Sequence, residues 1–240
     1  MRTLRWIALT AAVGLVAIGC NGTLSDNGET GTTPPDTTPL PITSISAPVV
    51  GFTGSADVQF EARNPNHDVL LASGTLVAAA SRFDAEFLPL ADVPSIVLGT
   101  EPPEFGIEEG DLVCDVSVVP ETLRTTGAFM FSQVDGFSML ALATFDFFAG
   151  SGATTFPVGS RIYVFLLADR AGRIQGTCNE PDLGVTIEYA VDLVEGWNSV
   201  AFALTSVDTD GDPASWRIQD EQPTPQAQWS YFGIDIDIPD

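Results

Sequence analysis

From Ile42 onward the chain breaks into short apolar runs separated by turn residues, with no stretch of helical period. The runs are rich in Val, Ile, Phe and Thr, side chains that suit a pleated, half-buried surface. SADVQFEAR (55–63) alternates, placing Ala56, Val58, Phe60 and Ala62 on one face. NPNHD (64–68) reads as a turn, and VLLASGTL and VAAASRFDAEFL continue a meander. LVCDVSVVP (112–120) is a further strand ended by Pro120. The strongest local signals predict two hairpins. In the first, Asp169–Gly172 bends between strands at 161–168 and 173–178. In the second, Glu195–Gly196 turns within VTIEYAVDLVEGWNSVAFAL. FSMLALATFDFF (137–148), with Asp146 inside it, predicts a buried strand, because a membrane-spanning helix needs about 20 residues. Together these signals predict an all-β fold: an antiparallel β-sandwich of one large or two closely packed subdomains. The 240 residues are enough to bury a core of that size.

The segment ahead of the strands has a different character. Met1–Arg5 carries Arg2 and Arg5, and Trp6–Ile18 is uncharged and mostly apolar, the layout of an export signal. Small Gly19 then precedes Cys20. NGTLSDNGETGTTPPDTTPLP follows, with only Leu24 and Leu40 apolar, too few to offset the entropy of ordering. Such a Thr/Pro/Gly segment predicts a disordered tether that extends up to roughly 70 Å. The expected organisation is a signal peptide over 1–19, anchor and tether over 20–43, and β subdomains over 44–122 and 123–240, with a boundary near Pro120–Thr126.

Ala17-Ile18-Gly19-Cys20 resembles the lipobox of bacterial lipoproteins, with Ala where that pattern prefers Leu. The resemblance implies cleavage before Cys20, lipid attachment to Cys20, and a membrane-anchored protein of the cell envelope facing periplasm or exterior. A plain secretory signal and an uncleaved anchor helix are the competing readings. The stretch from Val49 to Pro89, with Phe83 and Phe87 in its closing strand, resembles prealbumin-like or Ig-like modules of envelope proteins. Ala168-Asp169-Arg170, Gly176-Thr177-Cys178, Asp192-Leu193 and Gly196-Trp197-Asn198 together resemble a pattern of uncharacterised bacterial envelope lipoproteins, which implies no particular activity.

Charge narrows the partner classes. The chain has 32 acidic against nine basic residues, all nine Arg, for a net charge of −23. Such a surface repels phosphate backbones, so no nucleic-acid partner is expected. It implies a hydrated acidic coat or one that gathers cations.

Cys114 and Cys178 remain once Cys20 is assigned to lipid, and a pair in an exported chain predicts a disulfide. Two buried thiols are the alternative. In SVDTDGDPASW, Asp208, Asp210 and Asp212 stand at positions 1, 3 and 5 of a Gly-containing loop, the spacing with which a calcium loop begins. Pro213 and Gln219 depart from the EF-hand pattern, and a plain acidic hairpin loop is the other reading. Trp197, Trp216, Trp229 and Tyr231 form either core or an exposed platform for sugar rings. His67, the one histidine, falls in a turn without a nucleophile motif, and no zinc, phosphate-loop or dinucleotide signature occurs. The tail IDIDIPD alternates as a half-exposed last strand.

These features predict a non-enzymatic structural or binding module of the envelope, with no cofactor and with a glycan or protein as the open partner. A calcium-assisted carbohydrate-binding or adhesion module is the second reading, and a carboxylate-dependent hydrolase the third.

Overall fold

The computed structural model describes residues 41–64, 66–99, 113–128, 130–134, 138–145, 157–180 and 184–232. The fold is all-β. Among the described residues there are fourteen strands: β1 (Ser44–Val50), β2 (Val58–Asn64), β3 (Val69–Val77), β4 (Arg82–Phe87), β5 (Val113–Val119), β6 (Thr125–Ala128) and β7 (Phe131–Gln133), followed by β8 (Met139–Ala143), β9 (Arg161–Ala168), β10 (Gly172–Glu180), β11 (Val185–Leu193), β12 (Gly196–Val207), β13 (Pro213–Asp220) and β14 (Gln228–Phe232). Three short 3-10 helices, Ala78–Ala80, Leu90–Asp92 and Ser95–Val97, interrupt them.

Strand pairing follows the order β14-β1-β4-β3-β2-β7-β8-β9-β12-β13-β11-β10-β5, and β14 also pairs β8. That second pairing closes a hydrogen-bonded circuit of β14, β1, β4, β3, β2, β7 and β8. The remaining strands run outward from β8 through β9 to β5, with β6 lying along the C-terminal half of β9. Two pairings are parallel, β1 with β14 and β11 with β13, in an otherwise antiparallel arrangement. Strands from either side of residue 122 pair across it: β5 with β10, and β1 with β14.

The side-chain pattern explains β9. Alternate residues of a strand point to opposite faces. Tyr163, Phe165 and Leu167 enter one core, lined by β1–β4, β7, β8 and Trp229, while Val164, Leu166 and Ala168 enter a second, lined by β10, β11 and Ile218. A strand covered on both sides needs apolar residues at every position, which is how IYVFLLA reads. β10 and β11 alternate instead, burying Ile174 and Cys178 or Val185, Ile187, Tyr189 and Val191, and turning Arg173, Gln175, Glu188 and Asp192 outward.

Several expectations change here. Neither expected hairpin forms. β9 pairs β12 along its length while β10 pairs β11, so the chain at Asp169–Gly172 passes to a different neighbour. Likewise β13 inserts between β11 and β12 and pairs both. The turns are real, but burying both faces of β9 requires them to be crossings between strands rather than ladder ends. Ala56 is exposed and precedes its strand, whose inward face is Val58, Phe60, Ala62 and Asn64, while the register shift between Ala62 and Arg63 leaves Leu71 of β3 as the extra residue. The apolar run at 137–148 supplies β8 as a five-residue strand. The signal, the tether up to residue 40 and the IDIDIPD tail lie outside the described residues.

Candidate functional site

Cys20 lies outside the described residues; the other candidates have definite places, beginning with the remaining two cysteines. β5 and β10 set Cys114 directly opposite Cys178, and the two form a disulfide with Cα atoms 4.0 Å apart. Cys178 is buried in the second core, and Cys114 is exposed on the outermost strand. Two residues earlier, Gly176 (φ +140°) lets β5 come close: a Cβ there would lie 2.0 Å from the Asp115 carbonyl oxygen. The Gly-Thr-Cys triplet therefore acts as a clamp, with glycine for close approach and cysteine for the covalent link.

The acidic loop at 208–212 joins β12 to β13. The Asp208 carboxylate accepts hydrogen bonds at 2.9 Å from the backbone N–H of both Asp210 and Asp212, and Gly211 (φ +88°) completes the reversal. Asp208 thereby stabilises the turn itself. Among the described residues no group of three His, Cys, Asp or Glu side chains converges to hold a metal ion, so Asp208, Asp210 and Asp212 are not brought together as a ligand set. Hydroxyl contacts from Ser215 to Thr205 and Ser206 (both 2.6 Å) tie the strands below the loop.

The aromatic residues are core. Trp229 and Trp197 are 1% and 3% exposed. Trp229 meets Phe83 and Phe131 edge-on at 5.0 and 5.4 Å, and Trp197 packs on Phe87 while its indole N–H donates to the Leu88 carbonyl at 2.7 Å. Tyr231 packs against Phe52 and Phe60, with its hydroxyl 2.8 Å from that of Ser138, and Trp216 packs half-buried against the second core. They do not form an exposed stacking platform. His67 is exposed in the turn after β2, where its backbone N–H and that of Asn66 donate to the Asn64 side chain.

Three polar centres were given no role by the sequence reading. Asn198 is buried. Its side-chain oxygen accepts from the Val194 N–H at 2.8 Å, and its amide donates to the carbonyls of Gly196 (2.8 Å) and Val194 (2.9 Å), knitting the β11–β12 crossing together. The Asp169 carboxylate, almost fully covered, accepts the Arg124 backbone N–H at 2.9 Å and pairs with both Arg124 and Arg170. Burial pushes its pKa up, but hydrogen bonds from Arg170 and Arg124 outweigh that and hold it below the ordinary carboxylate range. In the third, Glu221 pairs with Arg161 at 2.6 Å, accepts from the Gln219 amide at 2.7 Å and lies 3.4 Å from the Tyr163 hydroxyl. Burial pushes the Tyr163 phenol up, so it stays protonated and donates, while accepting the Thr224 N–H. A lone Asn after a Gly-Trp turn and a Tyr inside an apolar run are the sequence traces of two of these centres.

All seven arginines in the described part, Arg63, Arg82, Arg124, Arg161, Arg170, Arg173 and Arg217, have a carboxylate partner within 4 Å. The positive charge of the described body is thus engaged internally, and most carboxylates without an arginine partner are exposed. Comparison with known proteins returns no matching family model, no matching curated protein and no matching solved structure.

Proposed function

We propose that this chain is an exported lipoprotein, anchored through Cys20 and presenting an all-β, non-enzymatic body as a structural or binding module of the cell envelope. The observation that carries the reading is the Cys114–Cys178 disulfide. Disulfides persist in oxidising compartments and are rare in the reducing cytosol. Joined to a charged, then apolar N-terminus ending in Ala-Ile-Gly-Cys, that bond supports export followed by lipid attachment. Two acyl chains give durable membrane attachment, since each buried methylene contributes about 0.8 kcal/mol.

The non-enzymatic part rests on how the polar groups are used. Asp169, Asn198, Glu221 and Asp208 bind neighbouring backbone or side chains and hold crossings and turns together. A module whose polar groups brace its own fold is suited to mechanical presentation and surface contact.

The test is metabolic labelling with an alkyne fatty acid, comparing wild type with Cys20→Ser. Wild type takes up label and fractionates with membranes. Cys20→Ser loses the label and retains its apolar leader. Equal labelling of both, or none of either, overturns the anchor.

A further inference from the structure

We propose that β5 is a self-pairing edge: the β5 strands of two copies add to each other antiparallel across a two-fold axis at Val116, joining two sheets into one. β5 ends the strand order, and among the described residues its only strand partner is β10. A free edge presents a row of unpaired backbone groups, and proteins ordinarily blunt it with lysine, proline or a bulge. Val-Cys-Asp-Val-Ser-Val-Val contains neither residue, and its pairing with β10 runs through seven consecutive residues without a register shift.

The backbone directions follow from the β10 side. The carbonyl oxygens of Asp115 and Val119 face β10, the first against Gly176 and the second against Gly172. Opposed residues of an antiparallel ladder alternate in direction, and the 4.0 Å Cα spacing of Cys114 and Cys178 belongs to a pair that does not exchange hydrogen bonds. The N–H and C=O groups of Cys114, Val116 and Val118 therefore point outward. With the two-fold at Val116, Cys114 of one copy meets Val118 of the other and Val116 meets itself, the pairs that exchange hydrogen bonds.

The side chains fit the same register. Val113 and Val119 are 66% and 51% exposed and stand symmetrically about Val116, so each meets the other across the axis on one face. Asp115, the one charge on β5, comes opposite Ser117, which keeps like charges from facing each other. The disulfide and the Gly176 contact hold the strand in place before any partner arrives, so little ordering is needed on pairing. Edge addition buries less than a standard interface of roughly 1,600 Å², so the dimer is a weak one. The excess negative charge opposes it, so salt strengthens it by screening.

The test uses sedimentation velocity of the full chain in non-ionic detergent over a concentration series. Wild type forms a dimer whose fraction rises with concentration and with salt. V113K/V119K, which sets two lysines against each other in this register, loses the dimer. V113K/V119E, in which the introduced lysine of one copy faces the introduced glutamate of the other, recovers it. Both variants keep the wild-type circular dichroism, because the positions are exposed. A dimer that survives V113K/V119K places the interface elsewhere and overturns the proposal. A wild-type monomer whose Cys114, Val116 and Val118 amides exchange slowly means that another segment covers the edge, and a wild-type monomer with fast exchange means that the edge stays open; either result overturns it.

Discussion

Phe165 and Leu166 are adjacent in β9 and both fully buried, yet Phe165 enters the core of the closed circuit and Leu166 the core under β10 and β11. One strand thus serves as the wall between two cores, and neither core is complete without it. Phe165→Ala is expected to cost about 3–5 kcal/mol and Leu166→Ala about 2–5 kcal/mol. Because the wall is shared, each substitution lowers a single unfolding transition. Urea titration followed by Trp fluorescence and by far-ultraviolet dichroism checks this; two transitions that separate in either variant would refute a shared wall.

Asn198→Ala leaves the Val194 N–H and the carbonyls of Val194 and Gly196 without their side-chain partner. A buried unsatisfied group costs about 1–3 kcal/mol. Asn198→Asp is expected to be worse, since an ionised carboxylate has no N–H to donate and would be buried with its charge. Denaturation midpoints at neutral pH should rank wild type above Asn198→Ala and that above Asn198→Asp.

The depressed pKa of Asp169 makes its contribution pH-dependent in a defined direction. A carboxyl that ionises more readily when folded stabilises the protein fully above its unfolded pKa of about 3.9, and the gain disappears as pH falls through the lower folded value. The stability gap between wild type and Asp169→Asn should be constant near neutrality and shrink as pH falls below the ordinary carboxylate range. A gap that is unchanged through the acid range would show that the ion pairs with Arg124 and Arg170 contribute nothing.

Reduction of Cys114–Cys178, or Cys114→Ser with Cys178→Ser, removes a link across 64 positions. The loop-entropy treatment gives about 4 kcal/mol for a closure of that length. Loosening should begin at β5, so hydrogen exchange at Val113–Val119 is expected to accelerate before that of β9. Gly176→Ala, whose Cβ would strike the Asp115 carbonyl, should produce the same β5-first loosening with the disulfide intact.

Asp208→Ala removes the acceptor for two loop amides and is expected to cost about 1 kcal/mol in a calcium-free melt. Asp210→Asn, whose backbone N–H is still available to Asp208, should be silent.

Strand identity was legible in the sequence wherever one face is buried: Phe83, Ala85 and Phe87 alternate with Arg82, Asp84 and Glu86, and β10 and β11 do the same. Strand partnership was not. The turns at Asp169–Gly172 and Glu195–Gly196 look local, but what decides their neighbours is the double burial of β9 and the parallel insertion of β13, both set by contacts distant in sequence. The cysteine pair was readable because two thiols in a chain with an export-type leader favour pairing, an oxidising compartment being where such bonds persist. The Asp208 loop was legible only as a choice, because alternate aspartates suit a metal loop and a self-bonded turn equally; in the structure the Asp208 carboxylate accepts two loop amides and the three aspartates do not converge. Asn198 and Asp169 left almost no trace, since a single polar residue beside a turn is ordinary until its burial is known.

β14 lies between β1 and β8, so the last described strand seals the seam left by the first. A ribosome or translocase delivering this polypeptide from its amino end would hold β1 through β4 with an open flank for well over a hundred further residues. The circuit closes only after β14 emerges, so truncation upstream of Trp229 should yield an aggregation-prone fragment rather than a smaller stable body.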